Sequence, residues 1–336
     1  MGCLFRNLGK KVIGLLLFIV GAYVVWVYVD ISTNYLTVEA ISDPIEQMRQ
    51  LEQKGQWQEL KLYADFVMSM PFYDDQEKQI AQEMYKKAEE ELNSLPAKVV
   101  GFLKGFFTGK VEDLSSFAGS TLSNILLYGS IRDIAIEGYH LLSGEEVNEL
   151  ILAISAIDVV VTAVPVLKPE ASAVKAVMVP LVKSGAISKP MAKEIPQILK
   201  NTDLAVPFIK SNYKLVQAFK SYGLRPYMDV YKYARNADDV SKMAKMAEQY
   251  GAPKTYFLLK QTDGKVLDTA KRAIFVRSKL WHVKTIVKTL DKETFYSLIG
   301  SLMSIYGIWV LVVSGLVSLF GGYTVYNAFK CSKAKG

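Results

Sequence analysis

The chain has 336 residues, 51% of them hydrophobic, with 40 basic and 33 acidic side chains and a net charge of +7. That apolar share is high for a soluble protein and low for a many-span transporter, so it points to a few spans attached to a water-soluble body. The basic excess lies in the two tails: residues 1–11 and 330–336 each hold three bases and no acid, whereas residues 30–293 hold 34 bases and 33 acids, which argues against a nucleic-acid-binding face.

Cys3 and Cys331 lie one in each tail, so the body has neither a disulfide framework nor a thiolate metal cluster. His140 and His282 stand far apart, and a zinc site would have to recruit carboxylates. No glycine-rich phosphate loop, H-E-x-x-H helix or G-x-S-x-G elbow occurs. The expectation is therefore no catalytic, cofactor-binding or metal-binding residues and no enzyme; Asp133 and Glu137 are the least unsuitable acids for one.

In chain order, residues 1–11 form a basic tail. Residues 12–29, "VIGLLLFIVGAYVVWVYV", are 18 residues without a charge. As a helix they reach about 27 Å, close to the hydrocarbon thickness. Lys10 and Lys11 before the stretch place the N-terminus in the cytosol, and Tyr23, Trp26 and Tyr28 gather at the far end, where amphipathic rings favour the interface. A cleaved signal peptide is the competing reading, but the stretch is long for one and no A-x-A site follows. Gly14 and Gly21 share a face, as do Ser314 and Ser318 near the other terminus; such small-residue faces let helices approach closely in lipid.

Residues 30–95 read as soluble helical hairpins. Asp43 is a candidate N-cap with Pro44 at the first helical position. Leu60, Tyr63, Phe66 and Val67 follow at helical spacing, Pro71 ends that helix, and "DDQEKQ" opens the next with acids, as the helix dipole prefers. Residues 96–185 form an apolar helical hairpin region, read as core or membrane-associated. Within it Gly101, Gly105 and Gly109 make a ridge at i, i+4, i+8, either a helix-packing groove or a membrane-interface helix with lysines reaching headgroups.

The segments "FAGSTLSN", "GSIRDIAIEG" and "LLSGEEVNELILAISAIDVVVTAVP" resemble a family of uncharacterised, membrane-anchored bacterial proteins of the Gram-negative type. The resemblance implies a bacterial origin and a shared fold, and carries no activity.

Ile151 to Leu167 carry a single charge, Asp158. Three readings stand: a buried core helix with Asp158 paired to Arg132, a second membrane hairpin, or a device that inserts conditionally. A central Asp costs about 2.5–3.5 kcal/mol on insertion into a bilayer, which favours the first. A helix then follows that is expected to break at Pro180. Residues 186–293 read as a helical-repeat-like region with turns at Pro207, Gly223, Pro226, Gly251 and Gly264. "YGLRPYMDVYK" at 222–232 and "YGAPKTYFLLK" at 250–260 form a faint repeat. Residues 294–327 read as the second span, with its best core at 298–321, and residues 328–336 as a second cytosolic tail.

The expected fold is all-α, with N- and C-terminal transmembrane helices flanking an irregular helical-hairpin body. The expected place is a bacterial inner membrane, with both termini cytosolic and the body periplasmic. The expected role is a membrane-anchored scaffold or interaction protein whose partners are the lipid bilayer and another envelope protein or a second copy. The alternative is a pore or permeability factor using residues 97–110 and 149–167.

Overall fold

The computed structural model describes residues 2–94, 150, 152–154, 156–277 and 292–333. It is mostly helical, with 80% helix against 4% strand. Two compact units divide it: residues 1–42 with 270–336, and residues 43–269.

The first unit begins with α1 (Gly2–Asn34) and ends with α12 (Trp309–Lys333). Two stretches, Lys11–Asn34 and Trp309–Asn327, are long and apolar enough to cross a membrane. The two helices pack antiparallel: Gly14 meets Gly321 and Thr324, and Gly21 meets Ser314 and Ser318. A Cβ on Gly21 would stand 2.7 Å from both Ser314 O and Ser318 N, and one on Gly321 would stand 2.5 Å from Phe18 N. The two small-residue faces legible in the sequence therefore meet each other, and Gly321 joins them. The large apolar side chains point away from the seam: Ile13, Leu16, Leu319 and Phe320 are 60%, 57%, 72% and 60% exposed.

Two strands interrupt the all-α expectation. β1 (Tyr35–Glu39) and β2 (Arg272–Val276) pair in parallel, Tyr35 opposite Arg272 and Glu39 opposite Val276. Residues 37–39 were expected to be helical. "YLTVE" and "RAIFV" are rich in β-branched and aromatic residues, but each is short and their pairing spans the whole intervening unit, so no local signal joins them. Against this ribbon packs α11 (Lys292–Tyr306). Ser297 Oγ donates to Phe275 O at 2.7 Å, and Arg277 N donates to Ser301 Oγ at 3.0 Å. Val27, Ile31, Ile274, Tyr296 and Ile299 form a shared core there. Tyr296 donates to Asp30 Oδ2 at 2.7 Å, which holds the first acid after the apolar stretch of α1.

The expected span core at 298–321 is corrected by the same packing. The chain breaks at Gly307, whose φ of +55° is a left-handed helix stop, and Gly307 N donates to Met303 O at 2.8 Å. The uncharged stretch is thus two helices, the first bound to the sheet by its serines.

The second unit opens with α2 (Pro44–Gln53), α3 (Trp57–Ser69) and α4 (Asp75–Asn93). Asp43 caps α2, accepting from Glu46 N at 3.2 Å. Asp74 and Glu77 form a reciprocal capping box on α4, at 2.7 and 3.0 Å. Residues Leu60, Phe66 and Val67 of α3 are fully buried. Phe66 packs against Phe257 with its ring tilted by 35° and the ring centres 4.0 Å apart.

Then come α5 (Ile157–Ala163), α6 (Lys168–Lys183), α7 (Lys189–Lys200), α8 (Thr202–Phe219), α9 (Leu224–Tyr231) and α10 (Ala237–Gln261). Two prolines do not act as expected. α6 runs through Pro180 and stops a turn later, because a proline removes only its own N–H while its carbonyl still accepts, here from Ser184 N at 2.9 Å. α8 runs through Pro207; the carbonyl it deprives belongs to Asp203, on an exposed stretch open to solvent. Pro226 sits in the first turn of α9, where its ring is tolerated. Gly223, Gly251 and Gly264 do mark turns, all with positive φ.

Candidate functional site

Glu59 of α3 is buried at 4% exposure beside α9 and α10. Its carboxyl is in ion-pair contact with Arg225 Nε at 3.2 Å, and Asp229 of α9 lies near enough for its charge to act on it. Asp229 accepts from Tyr256 OH at 3.2 Å and has Lys232 Nζ at 3.7 Å. Lys260 Nζ donates to Tyr256 OH at 3.0 Å and to Tyr63 OH at 3.5 Å. Two acids, three bases and two phenols are thus gathered from three helices.

The faint repeat builds this cluster. Gly223 (φ 94°, ψ −175°) and Gly251 (φ 80°, ψ 164°) share one left-handed, extended-ψ conformation and each leads into a helix. The segment after Gly223 carries Arg225 and Asp229 on α9 and Lys232 just past its end; the segment after Gly251 carries Tyr256 and Lys260. Lys232 and Lys260 occupy equivalent repeat positions. α3 closes over both segments. Gly223 has no side chain with which to cap α9, and Gln58 of α3 replaces it, its Oε1 accepting from Arg225 N at 2.9 Å. A Cβ on Gly223 would lie 2.4 Å from Gln58 Cδ. Gly223→Ala is accordingly expected to cost about 2 kcal/mol, from the positive φ and the lost cap together. Hydrogen exchange in α9 measures this directly.

Burial pushes the Glu59 carboxyl up from its ordinary 4.5 to about 7; Asp229 adds to the rise, and Arg225 and Lys260 oppose it. The folded protein therefore holds this proton more tightly than the unfolded chain does. The stability it contributes is complete below about pH 4.5 and is lost as the pH rises through 7. Burial also raises the Tyr63 and Tyr256 phenols, which stay protonated as donors.

The residues singled out from sequence lie elsewhere. Gly101, Gly105 and Gly109, like Arg132, Asp133, Glu137, His140 and His282, fall outside the described residues, as does most of the segment carrying the family resemblance. Asp158 is described, and its expected burial is corrected. Its side chain is 67% exposed and pairs with Lys175. The reason is local: Asp158 stands in the first turn of α5, where an acid meets the positive end of the helix dipole and water. Nor is Ile151–Leu167 one helix. α5 has seven residues, about 10 Å of rise, and a 3-10 turn at Pro165–Leu167 follows. Ile154, Ile157, Val160 and Leu167 are buried, whereas Leu152, Val159 and Val166 are 77%, 70% and 80% exposed.

Among the described residues, no three His, Cys, Asp or Glu side chains gather to hold a metal. No protein-family model, curated protein or solved structure matches the chain.

Proposed function

We propose that this chain is a membrane-anchored helical interaction module of a bacterial envelope, held in the inner membrane by α1 and α12. The observation that carries the anchor is the inside-out build of that pair, with glycine and serine at the seam and leucine, isoleucine and phenylalanine outside. In water this arrangement would expose a large apolar surface. In lipid, where apolar side chains gain nothing by meeting each other, close backbone approach through small residues is what holds helices together. The antiparallel arrangement brings the two basic tails to one side of the bilayer. The positive-inside rule assigns that side to the cytosol and residues 43–269 to the periplasm.

The scaffold role draws on the second unit, a stack of helices whose buried polar groups serve to join α3, α9 and α10. The partner is another envelope protein or a second copy of this chain. Photo-crosslinkers placed in native membranes at exposed Gln53, Glu90 and Leu204 test the role. The expected result is a discrete protein adduct of constant mass. Lipid adducts alone, from a chain that resists alkaline extraction, would remove the interaction role and leave the anchor standing.

A further inference from the structure

Resting on the anchor reading and deepening it, we propose that α11 and the Gly307 corner lie in the interfacial layer of the leaflet opposite the basic tails, where Ile305, Tyr306, Ile308 and Trp309 bind the headgroup–acyl boundary of its phospholipids. These four side chains are 37%, 47%, 64% and 66% exposed. Gly307 turns the chain between them with a φ of +55°, and a Cβ there would meet nothing within 4 Å, so the corner protrudes. Large apolar side chains gathered on a protruding corner mark a contact surface. That surface runs without a charge into the outward side of α12, through Val313, Leu316 and Phe320 at 55%, 61% and 60% exposure. Continuity with the face read as lipid-facing names lipid as the occupant.

The depth follows from the helix register. Gly21 meets Ser314 and Ser318, and Gly14 meets Gly321 and Thr324, which sets Trp309 level with Val27 and Tyr28 of α1. α11 begins near that level too. Phe295 stacks on Tyr23 with ring centres 5.2 Å apart, Tyr23 stacks on Trp26 at 5.8 Å, and Tyr296 reaches Asp30 at 2.7 Å. α11 therefore lies across α1 rather than along it. The backbone keeps the corner out of the acyl region. A helix break leaves carbonyls at one end and N–H groups at the other without helical partners, and no water is at hand among acyl chains to satisfy them. Here Gly307 N donates to Met303 O at 2.8 Å, while Val310 N reaches Gly307 O only at 3.4 Å. The interfacial layer supplies water and headgroup oxygens, and tyrosine and tryptophan rings favour it. Ser297 and Ser301 hold α11 from sliding deeper, since they tie it to β2 and the residue after it at 2.7 and 3.0 Å.

The test is tryptophan quenching on the full chain in liposomes whose phospholipids carry bromine either near the headgroup end of the acyl chain or near the bilayer centre. Three single-tryptophan chains are compared, all other tryptophans being changed to phenylalanine: native Trp309, Ile305→Trp and Leu316→Trp. Leu316 lies seven residues along α12 from Trp309, about 10 Å deeper. Shallow bromines should quench positions 305 and 309 at least about twofold more than deep ones, and position 316 should show the reverse. Stronger quenching of 305 and 309 by deep bromines would put the corner among the acyl chains and overturn the proposal. No quenching there, with 316 still quenched, would put the corner in water or against protein; it overturns the proposal and leaves the anchor standing. No quenching at any of the three removes the anchor reading, and the proposal with it. Should the phenylalanine background lose its helix content by circular dichroism, a nitroxide on Ile305→Cys, in a chain lacking Cys3 and Cys331, reports the same depth by its exposure to oxygen against a nickel chelate. A shallow position supports the proposal, and a deep or aqueous one overturns it.

Discussion

Gly21→Leu is expected to drive α1 and α12 apart. The atoms a side chain would meet at Gly21 are Ser314 O and Ser318 N, both 2.7 Å from a Cβ. These are backbone atoms, so no rotamer change relieves the clash, and the remaining leucine carbons have nowhere to go except by separating the helices. Overpacking of this kind costs at least 1–3 kcal/mol, and the seam offers little else to offset it, because large side chains face outward. A cysteine pair at Phe18 and Gly322, which face each other across the helices, reports the separation in a chain lacking Cys3 and Cys331. Disulfide formation should fall at least about tenfold on adding Gly21→Leu. Leu16→Ala, on the outward face at 57% exposure, should leave it unchanged.

Phe66→Ala is expected to be the most damaging single truncation in the second unit. Phe66 is fully buried, its ring 4.0 Å from Phe257 and 6.4 Å from Tyr73. Three segments lean on it: α3 itself, the turn before α4, and the part of α10 that follows Gly251. Removing a buried phenylalanine costs about 3–5 kcal/mol, from lost transfer free energy and the cavity left behind. Protection from hydrogen exchange in residues 57–69 and 252–261 should fall roughly a thousandfold. The α1–α12 disulfide test should be unaffected, because Phe66 belongs to the other unit.

What the sequence disclosed, and what it did not, follows from the range of each interaction. Caps were legible because they are local: Asp43, Pro44 and the acids opening α4 announce themselves within four residues. The two apolar stretches were legible by length, and their glycine and serine faces by spacing. The parallel ribbon was hidden because its strands lie more than 230 residues apart and neither alternates long enough to stand out. Gly307 was hidden inside an uncharged run, where composition cannot distinguish one helix from two. Asp158 misled because its charge was weighed against the apolar run around it, when its place in the first turn of a short helix decides its exposure. Glu59 went unnoticed as an ordinary helix acid, since nothing on α3 announces the second acid and the bases that surround it. The one available signal was the repeat beginning at Tyr222 and Tyr250, which marks the two segments that close over Glu59.

The central claim is that α1 and α12 cross one bilayer in opposite directions, with the tails on one side and residues 43–269 on the other. Maleimide labelling of sealed membrane vesicles of known orientation tests it most directly, using native Cys3 and Cys331 and, in a background without them, single cysteines at exposed Gln53 and Asp238. The account predicts that Cys3 and Cys331 react only from the cytosolic face, and the cysteines at 53 and 238 only from the opposite one. Reaction of either native cysteine from the same face as position 53 or 238 would contradict it.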